Sequence, residues 1–177
     1  VRLGERKPKI VMAALNPQML KLAGEVADGV LLNYLPASHV GTSIEQVRKG
    51  GNAKIYAYVH AAVGDFERSA KSARKDLFNY AMADGYARMF SQAGFADEIK
   101  ELRARQAEKD REGALAAVSD RMIQAIDFIG NKSEVTNFVK DYVKAGVEHP
   151  VLMPLPWGED RRAITDATIS AAIKAVT

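Results

Sequence analysis

His60 closes an alternating run, KIYAYVHAAVG, in which Tyr56, Tyr58 and His60 fall on one face and Ile55, Ala57, Val59 and Ala61 on the other. An imidazole beside two phenols could meet a planar redox ring or a substrate, or could be a hydrogen-bonded core residue. Asn33 interrupts the apolar run VLLNYL where a strand would end. A buried amide there needs partners, which a ligand phosphate or hydroxyl could supply and which neighbouring backbone could supply as well. Ala13 and Ala14 end an earlier apolar run and lead through Leu15 and Asn16 to Pro17. Small residues let a ligand approach the backbone. A helix starting at Pro17 offers unpaired N–H groups and the positive end of its dipole, which suits a phosphate. The alternative is a plain strand-to-helix turn.

Other chemistries lack their residues. The absence of cysteine excludes disulfides, zinc–thiolate sites, iron–sulfur clusters and cysteine nucleophiles. His39, His60 and His149 are not spaced as metal ligands and show no accompanying carboxylate cluster, so no metal centre is expected. There is no Gly-x-Gly-x-x-Gly, P-loop, Gly-x-Ser-x-Gly or His-Glu-x-x-His pattern, and no residue stands out as a catalytic acid, base or nucleophile. His39 and His149 are expected to be structural or exposed, and Tyr80 and Tyr86 to pack within a helical segment. Trp157 could form the lip of a pocket or a surface plug.

The elements that must position these residues follow from periodicity. Apolar β-branched runs predict strands at residues 9–14, 30–35, 54–64 and 149–157. A helix follows the first, with Met19, Leu20, Leu22, Ala23, Val26 and Ala27 at helical spacing, and a second helix stops at Gly50-Gly51. Asp65 reads as the N-cap of a largely helical insertion over residues 66–126, broken near Gly85 and Gly94. Its charge-rich part, EIKELRARQAEKDREGALAAV, reads as a solvated helix pair. A turn is expected at Gly130, a helix capped by Ser133 and ended by Gly146, and a last helix over residues 160–176. The order β-α-β-α-β-(helices)-β-α predicts an α/β fold of parallel strands with right-handed crossovers. An open doubly wound sheet and part of a (β/α)8 barrel both fit.

With 177 residues the chain can bury a real core as one domain, residues 1–177. At 47% hydrophobic and 27% charged residues it reads as an ordinary globular chain. A net charge of +3 gives no ground for nucleic-acid binding. No apolar run is long enough to span a membrane, and the opening VRLGERKPK has no apolar segment of a secretory signal, so a cytoplasmic location is expected.

The stretch AALNPQMLKLAGEVADGVLLN resembles the luciferase-like monooxygenase superfamily, which includes bacterial luciferases and deazaflavin coenzyme F-420-dependent oxidoreductases. The strand running into VGD, the segment GYARMFSQAGF and the segment IGNKSEVTNFVKDYVKAGVEHPVLMPL agree with it in order and spacing. The resemblance covers nearly the whole chain and is closest to the coenzyme F-420 branch, with FMN as the alternative cofactor. It implies a (β/α)8 TIM barrel of which this chain is the second half, strands five to eight, with a helical insertion after the third strand of the chain. It further implies that the turn at Ala13, Ala14, Leu15 and Asn16 meets the cofactor phosphate through main-chain N–H groups, with Asn33 and His60 nearby. The chain departs from many relatives in carrying Leu15-Asn16 where they have glycine, and Tyr34 and Pro36 where they have threonine or lysine. Redox-centre residues would belong to the absent first half. Two readings follow. In one, the chain is a fragment of an F-420- or flavin-dependent oxidoreductase acting on a small molecule and is inactive alone; the Val1 start favours this. In the other, it is a non-catalytic half-barrel module that pairs with itself or with a partner.

Overall fold

Pro8 to Val176 are described by the computed structural model. The opening residues 1–7, read as carrying no secretory signal, lie outside the described residues.

The first apolar run forms β1 (Val11–Ala13), shorter than its hydrophobic pattern. Asn16 then caps α1 (Pro17–Val26), its Oδ1 accepting from the Met19 N–H at 3.1 Å. Next come β2 (Gly29–Leu32), α2 (Ala37–Arg48) and the ten-residue β3 (Lys54–Val63). Gly24 and Gly51 let α1 and the end of α2 meet backbone to backbone. A Cβ on Gly24 would lie 2.2 Å from the Val47 carbonyl oxygen, and one on Gly51 2.4 Å from that of Gly24.

The helical insertion follows as expected, with Asp65 capping α3 (Phe66–Ala81) through the Arg68 N–H. α4 (Asp84–Phe90) leads through a π-turn over Ser91–Phe95, where Gly94 takes φ 100°, into α5 (Ala96–Ala107). The charged stretch forms a helix pair, α5 and α6 (Arg111–Ala116), that buries Ile99, Leu102 and Ala114; α7 (Asp120–Ile126) follows.

Two expectations are corrected beyond this point. Residues Asp127–Gly130 form a fifth strand, β4, where a turn was expected. Four residues beside a glycine carry too little alternation to announce a strand, and this one forms by pairing with the end of β3. The cap of α8 (Lys132–Lys144) is Asn131, not Ser133, because Asn131 and Glu134 build a reciprocal capping box. Gly146 ends that helix in the left-handed region, at φ 104°. β5 (His149–Pro154) and α9 (Arg161–Val176) complete the chain.

All strand pairs are parallel. The sheet runs β1-β2-β3-β5. His60 and Ala61 pair with β4 as well as with β5, so β4 lies on the β2 side of β3, beyond the point where β2 stops. One face of β3, with Ile55, Ala57, Val59 and Ala61, is fully buried, while Tyr56 and Tyr58 on the other are only partly buried. That second face also carries Val11 and Met153, 44% and 41% exposed. Among the described residues no helix is long and apolar enough to cross a membrane.

Candidate functional site at the strand ends

The turn after β1 places Ala14 in the core and leaves Ala13 exposed. The Asn16 side chain is spent on capping α1. Among the described residues, neither the Leu15 nor the Asn16 N–H has a hydrogen-bond acceptor. Both stand at the N-terminus of a ten-residue helix with no acidic residue in its first turn. A groove of about 430 Å³ opens here, lined by Leu15, Asn16 and Pro17 on one side and Gly85, Arg88 and Gln92 on the other. Arg88, exposed on α4, therefore stands beside a helix N-terminus, an arrangement that favours an anion. Arg88 was not singled out from sequence, because it lies 72 residues from Asn16 in a segment that reads as packing helix.

The same helix α4 reaches the second half of the site. Asn33, just past β2, donates from Nδ2 to the Tyr86 hydroxyl at 3.1 Å. Its Oδ1 faces His60 Nε2 at 3.2 Å. Tyr86 and Tyr80 thus leave the insertion to join the strand ends, instead of packing only within it: the Tyr34 ring lies 3.8 Å from Tyr80 and 4.1 Å from His60, centroid to centroid. Tyr34 adopts φ 51°, uncommon for a bulky side chain. Its hydroxyl donates to Asp76 Oδ2 at 2.6 Å, and burial, then this bond, drives its pKa far above the usual phenol range.

His60 is only 5% exposed, enclosed by Tyr34, Tyr58 and Asn33. Its Nδ1 lies 3.2 Å from Asp127 Oδ1, within ion-pair distance, though neither atom makes a hydrogen bond. Asp127 is fully buried, and burial pushes its carboxyl up to about 6. Ligand atoms of His60, Asp76 and Asp127 lie within 4.8 Å of one another. The expectation that no carboxylates accompany the histidines is corrected: Asp76 comes from α3 and Asp127 from the unforeseen β4, far away in sequence and joined only by the fold.

The remaining candidates stand apart. His149 is exposed and stacks on Tyr56 at 4.4 Å, while His39 lines a groove beside Leu15 and is lowered in pKa by burial. Trp157 packs partly buried against the core, its carbonyl accepting from Ser69 Oγ.

Residues 2–149 match the model of the luciferase-like monooxygenase family. The chain belongs to the luciferase-like monooxygenase family. Within it, the chain is 27% identical over 159 residues to the 5,10-methylenetetrahydromethanopterin reductase of Methanopyrus kandleri, covering 85% of this chain and 45% of that protein. The enzyme of the same name from Archaeoglobus fulgidus is 25% identical over 166 residues, covering 86% and 50%. Among solved structures, the coenzyme F-420-dependent tetrahydromethanopterin reductase of Methanopyrus kandleri superposes with a TM-score of 0.75 at 21% identity, over 96% of this chain and 51% of that one. An F-420-dependent secondary alcohol dehydrogenase in complex with an F-420–acetone adduct gives a TM-score of 0.57 at 14% identity, over 95% and 50%. These structures share with this chain an α/β fold of parallel strands and covering helices, and this chain spans about half the length of the relatives it matches.

Proposed function

We propose that this luciferase-like chain forms strands five to eight of a (β/α)8 barrel and supplies the cofactor-phosphate side of a coenzyme F-420-dependent oxidoreductase. β1, β2, β3 and β5 are the barrel strands in this reading, and β4 is an added edge at the top of β3. The observation that carries it is the pair of unpartnered N–H groups of Leu15 and Asn16 at the start of α1, with Arg88 across the groove. The cofactor, when bound, supplies hydride chemistry. This chain's residues grip its phosphate, and Asn33, held by His60 and Tyr86, presents a fixed amide at the next strand end. The substrate is a small molecule, as the names of the relatives suggest.

Exposed apolar residues support a missing half. They occur on edge strands β1 and β5 (Val11, Met153) and on the terminal helices α1 and α9 (Leu22, Val26, Ile169, Val176). Such residues line the margins a second half-barrel would cover. The same margins favour the second reading, a non-catalytic half-barrel paired with another copy. Activity separates the two. Full-length protein carrying four further βα units reduces or oxidises coenzyme F-420 in the first reading, whereas a 177-residue native product without hydride transfer supports the second.

A further inference from the structure

We propose that His60, Asp76 and Asp127 bind one divalent transition-metal ion, of zinc or manganese type, where β2 ends and β4 begins along β3. The proposal shares His60 with the cofactor reading, where that residue only holds Asn33, and otherwise rests on side chains that reading does not use.

The three residues converge within 4.8 Å, a spacing that one ion can bridge. Each of two ligands has its outer atom held by a neighbour. His60 Nε2 is engaged by Asn33 Oδ1, which leaves Nδ1 as the free donor. Asp76 Oδ2 accepts from the Tyr34 hydroxyl. Outer partners of this kind fix the tautomer and the orientation of metal ligands. Inward, His60 Nδ1 and both oxygens of Asp127 are buried and have no hydrogen-bond partner. A fully buried carboxylate that makes no hydrogen bond and faces the His60 ring nitrogen at 3.2 Å is costly and rare.

Charge points the same way. Beyond burial, the ionisable groups that act most strongly on Asp127 are His60 and Asp76. Two aspartates and an imidazole facing one another in the core form a donor set that a divalent ion between them would satisfy. One imidazole nitrogen with carboxylate oxygens suits zinc or manganese and does not suit soft copper(I). Enclosure by Tyr34 and Tyr58 makes the ion a structural one, locking Asn33 and the left-handed Tyr34 in place.

The test uses untagged, purified full-length protein. Its metal content is measured as isolated, then zinc and manganese are titrated by calorimetry into chelator-treated protein whose fold is verified by circular dichroism. The expected result is one ion per chain and a higher thermal midpoint. Asp127→Asn should bind at least about tenfold more weakly. Should Asp127→Asn fail to fold, the partly buried Asp76→Asn reads the same loss. Folded protein that takes up neither ion, or variants that bind as tightly as the parent, would overturn the proposal. So would a thermal midpoint that shifts across the weakly acid range without responding to either metal, since a proton would then occupy the ion's place.

Discussion

His60 and Asp127 stand opposite each other in the β3–β4 register, with Nδ1 3.2 Å from Oδ1 in the core. Asn33 meets the other ring nitrogen because β2 stops where β4 starts. The polar cluster is thus a product of strand lengths: a long β3 spans the gap between two shorter neighbours, β2 and β4.

Asn33→Ala should lower stability by about 1–3 kcal/mol, because it strips partners from both His60 and Tyr86. Tyr86→Phe should cost less, about 1 kcal/mol, since it removes one bond of the two. Denaturant unfolding of both variants gives the comparison, and equal, negligible losses would show that the amide is not held.

Gly24→Ala should be worse than an ordinary helical glycine change, which would favour the helix. Its Cβ would lie 2.2 Å from the Val47 carbonyl oxygen, which is backbone and cannot swing away. A loss of about 1–3 kcal/mol is expected from overpacking. The thermal midpoint reads it directly.

Much of the fold was legible in the sequence. The alternation of β3, the cap at Asp65, the helix start at Pro17 and the stop at Gly146 are local signals, each tied to a backbone need. β4 was not legible, because Asp127 to Gly130 is strand only through its partner. The candidate site divides the same way. Asn33 and His60 announced themselves as polar breaks in apolar runs. Asp76, Asp127, Tyr86 and Arg88 did not, since each sits in a segment whose local pattern is helix or turn and acquires its role from contacts far along the chain.

Glu148 ties the start of β3 to the end of α2. Its carboxylate takes Lys54 at 2.9 Å and lies 3.4 Å from Arg48, and the bond from Lys54 holds its pKa below the usual carboxylate range. A depressed folded-state pKa contributes stability above the unfolded value and loses it as pH falls through the folded one. Glu148→Gln should therefore cost about 0.2–1 kcal/mol at neutral pH, modest because the pair is solvent-screened. The cost should vanish in acid. Urea unfolding of parent and variant across that range checks the sign.

The 177-residue chain alone should associate and show no hydride transfer. Its apolar margins at Val11, Met153, Val26 and Val176 call for a cover. Sedimentation at micromolar concentration should show dimers or larger species, and a well-folded monodisperse monomer would count against the half-barrel reading.

The most direct measurement is a titration of coenzyme F-420, with FMN in parallel, against full-length protein carrying Leu15→Pro, Arg88→Ala or Asn16→Ala. Leu15→Pro removes one of the two free N–H donors and restrains Ala14. It should weaken binding severely in a protein that still folds by circular dichroism. Arg88→Ala should weaken it by about 1.5–3 kcal/mol, the worth of a charged hydrogen bond. Asn16→Ala should cost about 1 kcal/mol of stability through the lost cap, with little effect on affinity. If Leu15→Pro folds and binds the cofactor as tightly as the parent, the turn between β1 and α1 holds no phosphate.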